Sequence, residues 1–294
     1  MFYKIKYGIN MKSHVINPPL DIMNKISVKR AGNAEVGPLD LYKILSEGNR
    51  YKIIYDYDNE NIKVSTTNEP MKHKIYKNKI HDKPCKPLYI KDYKWYNPGT
   101  LSKKLSKEYF GTTDKNANVF GESGIMKIHK KYSFTIPQVN ILDCEKTIND
   151  IFGVKLFAPG ETLPKMNIKN QKVYLVSYKI NEQYATKYVH DLKGPGIFLE
   201  YHNFPHYVTP IGKDSRGPFV IGKFRKGGGM DIIGINIPLG HTLYIPPNII
   251  HNDWYFIGKL ATTVLVGEES DTVFLRGINN KKIPMEFISK PGTK

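Results

Sequence analysis

A chain of 294 residues, 40% hydrophobic and 24% charged, is long enough to bury a sizeable core in one domain or two, which speaks against disorder as its default state. Its formal net charge of +17 comes almost wholly from lysine, because Arg30, Arg50, Arg216, Arg225 and Arg276 are the only arginines. That balance admits attraction to nucleic acid, acidic membranes or phosphorylated substrates, and the lysine bias of an AT-rich genome produces it equally.

Cys85 and Cys144 are the only cysteines and belong to no paired-cysteine motif, which argues against a disulfide framework or a cysteine-based zinc site. The opening MFYKIKYGINMKSHVINPP holds no apolar run of signal-peptide length, and no later stretch reaches membrane-spanning length. These observations predict a soluble, intracellular, cytoplasmic protein with no membrane partner.

In chain order, residues 1–36 alternate weakly and read as extended segments and loops. Gly37-Pro38 then predicts a short helix, with Leu41, Ile44 and Leu45 on one face and Gly48 as its stop. The run YKIIYDYDNENIKVST, residues 51–66, reads as a hairpin turning at Asp58 to Asn61. From Met71 to Trp95 lysines interleave with tyrosines, a pattern that suits single-stranded nucleic acid, while the absence of any RNA- or DNA-binding signature supports a solvated basic strand and loop segment instead. Thr100 to Phe110 predicts a helix capped by Thr100 and stopped by Gly111. The small, polar stretch Gly111 to Gly124 marks the expected boundary between an α+β N-terminal region, 1–124, and a β-barrel domain, 125–294.

Beyond it, GIMKIHKKYSFTI has a strand pattern, and Glu145 to Phe152 a helical one ending at Gly153. Then come VKLFA, KVYLVSYKI, IFLEYH, PFVIGKF, MDIIGINI, HTLYI, ATTVLVG and TVFLRG, short β patterns separated by glycine and proline turns. The predicted fold class is therefore mainly β, with a double-sheet jelly roll as its architecture.

Two stretches carry chemistry. GHTLYIPPNIIHND, Gly240 to Asp253, sets an alternating strand, a Pro246-Pro247-Asn248 turn and His251 at fixed offsets. GPGIFLEYHNFPHYVTPIG, Gly194 to Gly212, supplies Glu200 and His202, which share a strand face as residues i and i+2, and then His206.

These two stretches resemble the paired motifs of the cupin family. Gly240, Pro246 and His251 fall at the positions of its second motif, with Asn248 in place of a glycine, a residue that also tolerates positive φ. Tyr255 stands where that motif ends in asparagine. Gly194, Glu200, His202, His206 and Gly212 follow its first motif with the ligand types reordered. A competing register places the first motif at Phe157 to Ile180, where Met166, Ile168 and Lys172 would occupy the metal positions and the barrel would hold no metal.

The resemblance implies a double-stranded β-helix with Glu200, His202, His206 and His251 as ligands of a divalent metal, iron, manganese, nickel or zinc. It also implies a small-molecule substrate and pairing of barrels into a homodimer. Around the site, Lys223 and Arg225 are candidates to hold a carboxylate or phosphate, as is Arg216 nearby. Tyr201, Phe204, Tyr207, Tyr244 and Trp254 are candidate aromatic walls, with Trp254 a substrate-binding candidate. Tyr244 and His241 are the candidate catalytic acid–base groups. The implied activity is an iron-dependent oxygenase; a sugar or sugar-phosphate isomerase or epimerase, or a metal-free binding protein, are the other readings.

Overall fold

The structure, a computed structural model, describes residues 40–75, 85–91, 93–96, 124–128, 134–166, 173–184, 198–201, 204–253, 255–265, 271–277 and 285–289. The extended segments expected through residue 36, the helix expected at Thr100 to Phe110 and nearly all of the stretch expected as a boundary lie outside these residues.

The chain is mainly β, with one α-helix among the described residues. Its first strands are β1 (Asp40–Leu45), β2 (Arg50–Asp56), β3 (Asn61–Thr67), β4 (Leu88–Ile90), β5 (Tyr93–Tyr96), β6 (Gly124–Ile128) and β7 (Phe134–Asn140). After the helix α1 (Glu145–Phe152) come β8 (Lys155–Phe157), β9 (Val173–Ile180), β10 (Phe198–Tyr201), β11 (His206–Pro210), β12 (Phe219–Phe224) and β13 (Met230–Asn236). β14 (Thr242–Ile245), β15 (Ile250–Asn252), β16 (Gly258–Leu265), β17 (Asp271–Gly277) and β18 (Met285–Ser289) complete it. No helix among the described residues is long and apolar enough to cross a membrane.

The helix expected from Gly37 to Gly48 is a strand, β1. A bulge between Leu41 and Lys43 inserts one residue against β9, so Leu41 and Ile44 emerge on one exposed face while Leu45 is buried. That displaced alternation imitates the spacing of a helical face.

Two sheets organise the molecule. One has six strands in the order β1-β9-β16-β11-β14-β8, the other ten, of which nine run β18-β7-β13-β12-β15-β10-β17-β6-β5 while β4 pairs with β13 beside that path. Strands β9 to β16 pair as nested antiparallel partners: β12 with β13, β11 with β14, β10 with β15 and β9 with β16. This is one long hairpin, turned between Phe224 and Met230 and wound so that successive pairs alternate between the two sheets. Contacts of β16 with β11 and of β12 with β15 join the pairs laterally. Strands β6 and β7 run parallel to their partners β17, β13 and β18.

Strand alternation divides the core in two. Along the six-stranded sheet Leu156, Val208, Leu243 and Leu260 pack with Phe219 and Ile221 of the other sheet, forming the core between the sheets. Their immediate neighbours Phe157, Tyr207, Tyr244 and Ala261 point the other way, onto Tyr51, Ile53, Tyr55 and Ile62 of the β2–β3 hairpin. Helix α1 joins β7, in the ten-stranded sheet, to β8, in the other, and its Ile148 and Phe152 enter the core between them. Gly153, with φ +75°, ends it as its sequence predicts.

Candidate functional site

The run from Gly240 to Asp253 folds as its residue types require. Gly240 has φ +73°, and a Cβ there would come 2.8 Å from the Tyr55 ring. Asn248 sits at φ 62°, the left-handed region that asparagine tolerates. The turn then delivers His251 on β15, only 3% exposed.

Register brings Glu200 directly opposite His251 across β10 and β15. Opposed residues project from the same face, and Glu200 Oε2 lies 3.9 Å from His251 Nε2. His206 opens β11 in the facing sheet, and its ring meets that of His251 edge to face at 4.6 Å between centroids. Phe219 stacks parallel to His251 at 6.3 Å, and Phe204 lies 5.3 Å from His206. Three of the four ligand candidates therefore converge from three strands and both sheets.

Hydrogen bonding fixes the imidazoles. His251 Nδ1 is 2.9 Å from the Ile249 carbonyl, which can only accept, so Nδ1 carries the proton and donates. In the neutral ring Nε2, the nitrogen beside Glu200, then holds the lone pair. The Thr262 hydroxyl donates to the Tyr207 carbonyl at 3.0 Å, so at 3.5 Å from His206 Nδ1 its oxygen accepts. Burial, and after it the neighbouring His251, hold His206 well below the ordinary histidine value, so that ring is neutral at pH 7.

The other candidates are placed elsewhere. Tyr244 pairs with Tyr207 on the outward face of the six-stranded sheet, so the sheet separates it from His251; burial raises its phenol pKa. His241 precedes β14, at the opposite end of that strand from Ile245, the residue opposite His206; its Nδ1 bonds the Leu239 carbonyl at 3.2 Å. Lys223 is exposed at the far end of β12 and donates to the Ile151 carbonyl at 2.9 Å. Arg225 grips Asp231 through two bonds of 2.6 Å, and Arg216 pairs with Glu182. His202 and Trp254 lie outside the described residues, and the side chain of Tyr201 is likewise undescribed.

A further polar pair crosses between the sheets nearby. The Tyr178 hydroxyl on β9 donates to the carboxylate of Asp253, buried two residues beyond His251. The sequence showed Asp253 inside the histidine motif but offered no partner, because Tyr178 is 75 residues away. Thr262 went unnoticed for the same reason: only pairing of β16 with β11 carries it to His206.

Imidazole nitrogens and carboxylate oxygens suit a borderline divalent metal. Among the described residues, however, no group of three His, Cys, Asp or Glu side chains is arranged to hold one. No family model, no curated protein and no solved structure matches the chain.

Proposed function

We propose that strands β9 to β16 form a jelly roll of cupin type whose interior, around Glu200, His206 and His251, binds a divalent metal and a small polar molecule, and that the protein is an oxygenase. The convergence of His251 with Glu200 and His206 from remote parts of the chain carries this reading. The nested pairing of eight strands across two sheets supports the fold, since a jelly roll is two Greek keys folded as a double sheet.

The residues fit such an ion in chemistry. His251 holds its Nδ1 proton on a carbonyl, the arrangement that orients an imidazole and leaves Nε2 as the ligand nitrogen. His206 is kept neutral, as a ligand must be. A redox-active ion there would supply electrons to dioxygen, and a redox-inert one would supply Lewis acidity toward a carbonyl, the chemistry of an isomerase. The chain itself supplies the counter-charge of Glu200 and the apolar wall of Phe219. Lys223 and Arg225 are engaged at the far end of β12, which favours a polar ligand over an anionic one.

The second reading is a metal-free binding barrel. Elemental analysis of the purified full chain separates the two. The metal reading expects a near-stoichiometric first-row metal in the wild type, lost in His206→Ala and His251→Ala. A wild type that holds none after dialysis against iron(II), manganese, nickel and zinc in turn leaves the metal-free barrel.

A further inference from the structure

Away from the barrel interior, two basic stretches that are far apart in sequence meet on one surface. Strand β4 pairs with β13, setting Tyr89 opposite Asp231, and β13 pairs with β12, setting Asp231 opposite Lys223. Directly opposed residues share a face, so Tyr89, Asp231 and Lys223 form one row across three strands, with Lys91 and Arg225 each two residues further along that face.

The aromatic member of the row is held rigidly. Arg225 lies over the Tyr89 ring at 4.0 Å from its centroid while its two bonds to Asp231 fix the guanidinium. The Tyr89 hydroxyl donates to the Gly228 carbonyl at 3.3 Å. Gly229, at φ +85°, makes room for the ring, because a Cβ there would sit 2.4 Å from it. Tyr89 nonetheless keeps 37% of its surface exposed.

Lys86, Lys91 and Lys226, on the same two stretches as this ring, are exposed, while the Lys223 amine is engaged by the Ile151 carbonyl. Asp231 is spent on Arg225, so the three lysine charges stand uncompensated by it. We propose that the tip of the β12–β13 hairpin and strand β4 together form a docking surface for single-stranded nucleic acid. Phosphates meet the lysines and a base stacks on the Tyr89 ring, the combination by which such strands are held without sequence preference. A duplex keeps its bases stacked on one another, and a lipid surface needs a protruding apolar anchor, whereas Tyr89 is pinned along the hairpin. This surface is independent of the metal reading.

The test is fluorescence anisotropy of the full chain with a labelled mixed-sequence single strand, as DNA and as RNA, across a salt series. With about three phosphates neutralised, the log–log salt slope is expected near −2, falling in magnitude by about 1.4 in Lys91→Gln/Lys226→Gln. Tyr89→Ala should weaken binding roughly five-fold or more at an unchanged slope, while Tyr89→Phe, which keeps the ring, stays within about two-fold of the wild type. Lys63→Gln/Lys213→Gln removes the same charge from exposed lysines outside this row and should leave the slope unchanged. Absence of binding at low salt overturns the proposal. So does equal loss in the Lys63/Lys213 control, equal affinity for the matching duplex, or a Tyr89→Ala variant that binds like wild type.

Discussion

The rings of His206 and His251 touch edge to face at 4.6 Å although they hang from opposite sheets. Neither position is close to the other along the chain, so their meeting measures how well the sheets are held together at this point. His251→Ala removes a ring only 3% exposed together with its bond to Ile249, and is expected to cost roughly 2–4 kcal/mol. Urea denaturation of the two proteins measures it. A loss within experimental error would mean that His251 is not packed as described.

The low pKa of His206 makes stability depend on pH in one direction. Above pH 6.5 folded and unfolded chains both carry a neutral ring there. Below it the unfolded chain binds a proton that the folded chain refuses, so stability falls with acid by up to about 1.4 kcal/mol per pH unit, until the folded value is reached. Urea midpoints at pH 7.5, 6.5 and 5.5 should therefore drop more steeply for wild type than for His206→Gln. Parallel trends in the two proteins would remove His206 as the cause.

Tyr178 and Asp253 join the sheets through a single hydrogen bond whose acceptor is a buried carboxylate. Tyr178→Phe should cost about 1–3 kcal/mol, because Asp253 stays buried without that donor. A double-mutant cycle with Asp253→Asn isolates the pair, and a coupling of at least about 0.5 kcal/mol is expected. Additive losses would show that the two side chains act separately.

At Asn248 the backbone alone decides the outcome. Its φ of 62° lies where a β-branched side chain crowds its own carbonyl, so Asn248→Val is expected to lower stability by about 1–2 kcal/mol. Asn248→Gly should be neutral within about 0.5 kcal/mol. Thermal melts rank the three proteins, and a Val variant as stable as wild type would mean that the turn has another shape.

The parts of the fold that could be read in the sequence are those whose signal is local. The β2–β3 hairpin, helix α1 with Gly153, and strands β8, β9, β12, β13, β14 and β17 follow from alternation, period and turn residues. Among the strands that were hidden are the two that carry the site histidines. HYVTP of β11 lies between Pro205 and Pro210, which read as breakers, and IHN of β15 is only three residues long, too short for a period to appear. Proline can close β11 because Pro210 is its last residue and needs no ladder donor beyond it.

Of the site, His251 was legible because its turn is punctuated by residues with restricted backbones. Glu200 and His206 were legible only through spacing, and their relation to His251 depends on strand register, which no short window contains. Lys223 and Arg225 show the limit of face-sharing arguments. They lie on the same face of β12 as Ile221, which pairs with His251, yet the strand carries them to its far end, where a helix carbonyl and Asp231 take them up.

The position of β16 has a consequence for biosynthesis. This strand lies in the interior of the six-stranded sheet, between β9 and β11, yet it is among the last parts of the two sheets to leave the ribosome. The β12–β13 ribbon can close as soon as residue 236 emerges, but β9 and β11 wait, with their edges open, until residue 265 has been made. During that interval the growing chain exposes two unsealed strand edges, so translation speed between these points, and any chaperone at the exit tunnel, governs how much of it reaches the native state.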